Sequence, residues 1–389
     1  MSAPAPEPDP VSVRLSALTL TNLRNYEKAA LAFAGRLVVL TGPNGAGKTN
    51  LLEAVSLLSP GRGIRRAFFE AIARKGSDAG WAVSADVMRD GHETRIGTGT
   101  AGLAETGERG RRVRIDGAPA TTESLLDHLR ILWLTPAMDG LFTGPAGDRR
   151  RFLDRLVLAI DPGHGRRVAE FERLVTSRNR LLEENGDPGV LDAVEAQLAE
   201  RAVAVSLARS ETVDLLQAVL KEQGGQGKEP PFPVASIALQ GDFETRIAGE
   251  PASRAEETFA RDLAKVRARD RAAGRTLDGP HRSDLTVLFA AKEMPAALSS
   301  TGEQKALLTG LVLGHAGLVS RTSGMTPVLL LDEIAAHLDA ARRAALFDRL
   351  ESLACQAFMT GTDPELFAAL EGRAEFFTVD AGRVEAAAD

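Results

Sequence analysis

A single cysteine, Cys355, is all the thiol chemistry the chain holds, so disulfides within it are excluded and a reducing compartment is the expectation. The run around it, "CQAFMTGT", reads as a buried strand, in which the thiol is a small core hydrophobe. No uncharged apolar run approaches the roughly eighteen residues a membrane span needs. The N-terminal "MSAPAPEPDPV" is proline-rich and acidic and lacks the basic and apolar regions of a signal peptide, so residues 1–10 are expected to be a disordered tail. The expectation is a soluble, cytoplasmic protein with no membrane partner. Charge of one sign is not in excess either, since 47 basic and 53 acidic residues leave a formal net charge of −6. No global field then draws the chain onto a polyanion, and any nucleic-acid contact has to come from local basic clusters. Internal repeats are absent as well.

What is present suffices for a sizeable core: 389 residues, 44 % of them hydrophobic, fit one large domain with an insertion, or two domains. Residues 11–20 alternate as a half-buried strand should, and "LAFAGRLVVLTG" supplies two more short strands before a glycine-rich turn. A helical pattern starts at Thr49. Short alternating pieces between residues 80 and 114, "WAVSADVM" and "RRVRID", predict an antiparallel sheet at the edge of the first domain. Residues 122–223 then read as helical, broken at "DPGHG" and "ENGDPG", so that 166–184 and 190–223 form a helical hairpin. At 1.5 Å per residue that hairpin is short, roughly 30 to 50 Å. "GGQGKEPPFPV" is the clearest linker, "VASIALQG" a strand and 255–273 a charged helix. After Thr276 strand and helix alternate again. The expected division is 11–115 and 276–389 as two parts of one domain, with 116–275 as a helical lobe between them.

Two motifs carry chemistry. "GPNGAGKT", residues 42–49, matches G-x-x-x-x-G-K-[ST] and lies between the strand "RLVVLT" and the helix "NLLEAVSLL". Its glycines let backbone N–H groups turn inward around phosphates, Lys48 neutralises β- and γ-oxygens, and the Thr49 hydroxyl ligates Mg²⁺. The expected ATP contacts are Gly42, Pro43, Asn44, Gly45, Ala46, Gly47, Lys48, Thr49 and Asn50. In "PVLLLDEIAAHLD" four apolar residues run into Asp332 and Glu333, which puts both carboxylates at the C-terminal edge of a buried parallel strand. Asp332 is expected to hold Mg²⁺ through water and Glu333 to orient or deprotonate the attacking water, so Lys48 and Glu333 are the catalytic candidates.

A third stretch, "LSSTGEQKALL", has no catalytic group. Ser300, Thr301, Gly302 and Glu303 open a helix, and Ser300 with Glu303 forms a capping box. The same four residues resemble the signature turn of the ABC ATPase superfamily, and Asp339 matches its D-loop. In that superfamily the signature turn faces the phosphate loop of a second subunit. The resemblance therefore implies a composite site and an ATP-dependent homodimer.

Within that superfamily the chain is most similar to the RecF family of bacterial recombination and gap-repair ATPases. "LTLTNLRNYEKAALAF" before the phosphate loop, "LTPAMDGLFTGPAGDRRRFLD", "TLDGPHRSDL" and "FMTGTD" carry the likeness from about residue 12 to the C-terminus. It implies an α/β fold, an ABC-type P-loop ATPase head with an inserted, mainly helical second lobe. It also implies slow, DNA-dependent hydrolysis of ATP with Mg²⁺, and binding of duplex DNA and of gapped or junction DNA. Loading of a recombinase with RecO and RecR is implied as well. The alternatives are an SMC-like chromosome-organising ATPase, disfavoured by an insertion of only about 160 residues (116–275), and an ABC subunit with a membrane partner. Against the latter, Thr362 stands where transporter ATPases carry a switch histidine, and no Q-loop glutamine is evident near Leu134. Thr360 and Thr362 are the candidate γ-phosphate sensors.

Three arginine clusters are candidates for DNA phosphates: Arg62 with Arg65 and Arg66; Arg109, Arg111, Arg112 and Arg114 alternating on a strand; and Arg149, Arg150 and Arg151 before a helix. Arg62, Arg65 and Arg149 to Arg151 are the expected contacts. Solvated faces or internal ion pairs are the alternative for each cluster. His281 and Arg282 read either as a polar brace between the lobes or as neighbours of the nucleotide.

Overall fold

A computed structural model describes residues 10–101, 110–224 and 230–387. The tail 1–9 and Arg109 lie outside them. Within the described residues the chain forms two compact units, one of residues 10–101, 110–139, 230–232 and 300–387, the other of 140–224 and 233–299.

The first unit begins with the alternating strand β1 (Val13–Leu23), then β2 (Tyr26–Ala32), β3 (Leu37–Thr41) and helix α1 (Lys48–Ser56). Strands β4 (Ala82–Arg89), β5 (His92–Gly99), β6 (Arg112–Ile115) and β7 (Ala118–Ala120) follow, and β1, β2 and β4 to β7 make an antiparallel sheet in the order β2-β1-β4-β5-β6-β7. Strand β8 (Ile131–Leu134) ends the first pass through this unit.

The second unit holds α2 (Ala146–Ile160), α3 (His164–Glu183) and the long α4 (Pro188–Gly224), the last two being the expected hairpin. Strand β9 (Ala235–Gln240), α5 (Asp242–Ile247), α6 (Ala252–Lys265), α7 (Arg267–Ala272), β10 (Asp284–Phe289) and β11 (Met294–Pro295) complete it, with a small antiparallel sheet ordered β11-β10-β9. The chain then re-enters the first unit through α8 (Thr301–Ser323), β12 (Val328–Leu331), α9 (Ala340–Ser352), β13 (Ala357–Gly361), β14 (Glu375–Asp380) and β15 (Arg383–Ala386).

The second six-stranded sheet is assembled from both ends of the chain, in the order β15-β14-β3-β13-β12-β8, parallel except for β15. Strands β3, β8, β12 and β13 are buried at every position, which is why they are continuous apolar runs and not alternating ones. One face packs Val38, Leu40, Leu330 and Phe358 against Leu51, Leu52 and Val55 of α1 and against Leu18, Leu20 and Val83 of the antiparallel sheet. Phe33 meets Phe358 edge-on, with ring centroids 5.0 Å apart.

The structure moves both edges of the helical lobe about twenty residues toward the C-terminus. Residues 122–135 read as helical, yet Ile131–Leu134 is a strand of the main sheet, because a short run buried on both faces carries no period. Residues 276–299 read as part of the head, yet β10 pairs with β9. The expected helix 255–273 is two helices, broken at Val266, and α7 turns the fully buried Asp270 onto Arg178 (2.7 Å).

The second unit has a small apolar core of Phe171, Leu198, Val203, Phe243, Phe259 and Leu263. Beside it lies a buried ion network. Arg178, fully buried, donates to Glu195 (2.8 Å), Asp270 (2.7 Å), the Thr276 hydroxyl (2.9 Å) and the Leu263 carbonyl (2.9 Å). Arg209 binds Asp154 with two prongs (2.8 and 2.9 Å), and His164 shares the same carboxylate (2.9 Å). Such pairs are kept by geometry: removing one partner strands a buried charge.

Candidate nucleotide site and basic surfaces

Strand β3 delivers the chain at the sheet's C-terminal edge into a turn that only glycine can make. Gly42 has φ 142°, and a Cβ there would stand 2.1 Å from the Val379 carbonyl. Gly47 has φ 125°, and its Cβ would meet the Tyr26 hydroxyl at 2.6 Å and the Asn25 amide at 2.7 Å. Gly47 caps α1 without any side-chain acceptor, so the first-turn N–H groups and the positive helix end face the loop. That is an anion site, and it fits the phosphates of a nucleotide. Lys48, 5 % exposed as a residue, lays its ammonium across the loop and donates to the carbonyls of Gly42 (2.7 Å) and Pro43 (2.9 Å). Burial pushes its pKa below the ordinary lysine value, against the pull of Glu333 and Asp332.

Parallel register brings the acidic strand to the same edge. Leu331, the last residue of β12, is level with Met359 and Val39, and β13 and β3 run two residues further to end together at Gly361 and Thr41. The Thr49 hydroxyl donates to both oxygens of Asp332 (3.0 and 3.1 Å). Thr360, fully buried on the intervening strand, donates to Asp332 Oδ1 (2.7 Å) and accepts the Glu333 N–H (2.9 Å). A hydroxyl and a carboxylate in contact are the hard oxygen donors that Mg²⁺ takes alongside water and phosphate oxygens, so the residues fit that ion. Glu333 itself sits in the left-handed region, φ 53°, a conformation that costs a glutamate about 1–2 kcal/mol and is held here by Thr360. Thr360 is thus committed to the two acidic residues, while Thr362 is exposed beyond the end of β13.

Two braces of the phosphate loop were not evident in the sequence. The Ala46 carbonyl accepts from the Asn25 side chain (2.8 Å) and from the Gly382 N–H (3.0 Å), and the Tyr26 hydroxyl donates to the Gly47 carbonyl (3.1 Å). Asn50 in turn donates to Asn25 Oδ1 (2.6 Å). The only available signal was "NLRNY" between two strands, which reads as a turn and not as a partner for a loop twenty residues on.

Ser300 caps α8 through a complete capping box: its hydroxyl accepts the Glu303 N–H (3.4 Å), and its N–H donates to the Glu303 carboxylate (3.0 Å). Ser300, Thr301 and Gly302 are exposed, and a Cβ on Gly302 would meet nothing within 4 Å. Nothing in the described subunit therefore requires glycine there. Asp339 caps α9, accepting the Arg342 N–H (2.8 Å), and is exposed. Lys305, one turn into α8, pairs with Asp139 (2.8 Å) beside a cleft that Asp332 and Glu333 also line.

The arginines divide. Arg62 is exposed, its guanidinium 4.9 Å from the Phe68 ring centre. Arg65 pairs with the fully buried Glu53 (3.0 Å), which Arg24 holds from the other side (2.6 Å), and also donates to Asn50 Oδ1. Arg111 is half-buried, donating to the carbonyls of Leu57, Ser59 and Gly61, and burial of its guanidinium pushes its pKa down to about 10. Arg149 binds Asp284 with two prongs (2.7 and 2.8 Å) and the Gly144 carbonyl (2.6 Å), with its side chain 15 % exposed. Arg150 donates to the Ser283 carbonyl (2.6 Å); Arg151, the most exposed of the three, pairs with Asp148. "TLDGPHRSDL" knits the second unit internally, since Thr276 meets Arg178 and the Pro280 carbonyl accepts from Arg209 (2.7 Å). Within it His281 holds the Thr276 carbonyl (3.0 Å) and packs on Phe171 at 5.7 Å.

A phosphate loop, a Thr–Asp pair and an acidic strand at one edge of a parallel sheet, with a capped signature-type helix in the same unit, define an ABC-type P-loop ATPase head. The family model described as "RecF/RecN/SMC N terminal domain" matches residues 14–385. The DNA replication and repair protein RecF of Mesorhizobium japonicum is 58 % identical over 96 % of this chain and 98 % of that protein, and that of Brucella suis 56 % identical over 97 % of each. The chain belongs to the RecF family of DNA replication and repair proteins. Among solved structures, the recombination mediator protein RecF with ATPrS, in the RecFOR pathway, superposes with a TM-score of 0.84 at 23 % identity, covering 98 % of this chain and 99 % of that one. The Smc head domain of Pyrococcus furiosus reaches 0.52 at 15 % identity, covering 96 % of each chain, which marks the shared head fold.

Proposed function

We propose that two copies of this chain close on two ATP·Mg²⁺, that the closed dimer binds DNA at gaps and at single-strand/double-strand junctions, and that slow, DNA-stimulated hydrolysis opens it. The observation that carries this reading is the meeting of Thr49, Asp332 and Thr360 beneath the phosphate loop, with Glu333 held at the next position. Loop amides and Lys48 bind the β- and γ-phosphates, and Thr49 and Asp332 hold Mg²⁺. The ion supplies charge neutralisation for the phosphoryl oxygens. Glu333 orients water and takes its proton. Ser300, Thr301 and Gly302, exposed at the start of α8, offer a hydroxyl and helix N–H groups to the γ-phosphate bound by the other subunit, and Asp339 lies along the same interface. Family membership supports RecO and RecR as partners in loading a recombinase onto gapped DNA.

The composite site is tested by mixing subunits. A Lys48→Met chain and a Ser300→Arg chain each fail alone, and their mixture recovers ATP binding in the one site of the mixed dimer free of both lesions. Gel filtration with and without ATP and gapped DNA reads the dimer directly. A Ser300→Arg chain that still dimerises on ATP as the wild type does would falsify the shared site.

A further inference from the structure

We propose that Phe68 is a stacking platform for an unpaired nucleobase, so that the segment 61–75 holds the unstacked base at a break in DNA as well as its phosphates. The proposal rests on the DNA-binding reading above and adds the feature by which a gap differs from intact duplex.

The segment reads GRGIRRAFFEAIARK: five cations, Arg62, Arg65, Arg66, Arg74 and Lys75, stand against one acid, Glu70, in a chain whose net charge is negative. In its middle Phe68 is 68 % exposed. The backbone at Phe68 is extended, φ −63° and ψ 142°, so consecutive side chains go to opposite sides. Phe69 turns inward to Trp81, with ring centroids 6.3 Å apart, and its carbonyl accepts the Trp81 indole N–H (2.8 Å). Phe68 is left outside, and the Arg62 guanidinium, 4.9 Å from its ring centre, fixes the ring's plane while most of it faces solvent.

The frame around the ring is tied at both ends. Arg111 clamps the carbonyls of Leu57, Ser59 and Gly61, and the Ile64 N–H donates to the Ser56 hydroxyl (3.0 Å). On the other side the Arg24 N–H donates to the Ile72 carbonyl (2.9 Å), the Arg74 N–H to the Asn22 carbonyl (3.0 Å), and Leu23 bridges Ala73. The aromatic face is therefore presented without a loop to be ordered on binding. Guanidiniums beside an exposed ring are the chemistry that holds a base swung out of its stack, one for phosphate and one for the π-face. Intact duplex offers phosphates and groove edges but no free base face, so the cations contact any DNA and the ring contributes only where a base is unpaired.

The test uses the full chain with ATP and two DNAs, a blunt duplex and the same duplex with a single-strand gap carrying 2-aminopurine, with affinity read by anisotropy over a range of salt. Phe68→Ala is expected to weaken gapped DNA about ten-fold and duplex by less than about two-fold, since the base contact alone is lost. The salt slope stays unchanged, because no charge is removed. Phe68→Trp keeps the gap preference, and its indole emission is quenched on gapped DNA; Trp81 and Trp133, 1 % and 8 % exposed, do not report there. If Phe68→Ala binds both DNAs as the wild type does, or loses both equally, base stacking is overturned and DNA binding stands. If the variant instead impairs ATP-driven dimerisation without DNA, Phe68 is a subunit contact and the proposal falls. A wild-type chain that binds neither DNA would sink the DNA-binding reading itself.

Discussion

Thr360 shows how much one hydroxyl can determine. It donates to Asp332 and accepts from the Glu333 backbone, so a single side chain sets the carboxylate proposed to hold Mg²⁺ and the left-handed backbone of the candidate base. Thr360→Val keeps the shape and removes both bonds; leaving those groups unpaired costs about 1–3 kcal/mol, read as a lower unfolding midpoint, and hydrolysis should fall more than ATP binding. Glu333→Gln should retain ATP and slow hydrolysis by about a hundred-fold or more, as loss of a general base does, trapping the closed dimer in gel filtration. Loss of ATP binding instead would give Glu333 a structural role. His281 adds a pH term: burial pushes its pKa below the ordinary value, with the Thr276 bond opposing, so the folded chain holds it neutral. Its contribution to stability is full above about pH 6.5 and declines as pH falls from there toward the depressed native pKa, because the unfolded chain then binds the extra proton. Urea midpoints from pH 8 to 5.5 should fall less steeply for His281→Gln than for the wild type.

Among elements, those whose causes are local were legible and those whose causes are distant were not. The phosphate loop could be read because its glycines answer to their own φ angles and to close backbone approach. The α3–α4 hairpin could be read because "ENGDPG" supplies its turn: Asn185 has φ 51°, and Asp187 accepts the N–H groups of Gly189 and Val190. Strand β8 could not, since four apolar residues become a strand only once β12 lies alongside. The same limit governed Arg149 and Arg150, whose partners Asp284 and Ser283 are 135 and 133 residues away. Charge clustering left DNA contacts and internal ion pairs both open for them; in the fold both donate to partners inside the second unit. Arg149→Ala should therefore lower thermal stability, by about 1–3 kcal/mol for the groups left unpaired, while leaving the salt dependence of DNA affinity unchanged. A reduced slope of about one unit would restore Arg149 to the phosphate contacts.

For the whole molecule, the ATPase sheet closes only when β12, β13 and β14 from the later chain join β3 and β8 from the earlier one, so nucleotide binding belongs to the complete chain and to neither half. With a net charge of −6, DNA affinity has to come from a few exposed cations, and it should fall steeply with salt. Replacing Arg62 by Ala is expected to flatten the slope of log K against log salt by about 0.9, the share of one phosphate. An unchanged slope would take Arg62 off the contact surface.

Arg65 reaches Asn50, Asn50 reaches Asn25, and Asn25 holds the carbonyl of Ala46 in the phosphate loop. A ligand that draws the Arg65 guanidinium outward thus tugs on a three-link tether fastened to the nucleotide's own cradle, with no element having to move as a body. Cutting the middle link with Asn50→Ala should leave DNA affinity near that of the wild type and erase any effect of DNA on the rate at which ATP is turned over.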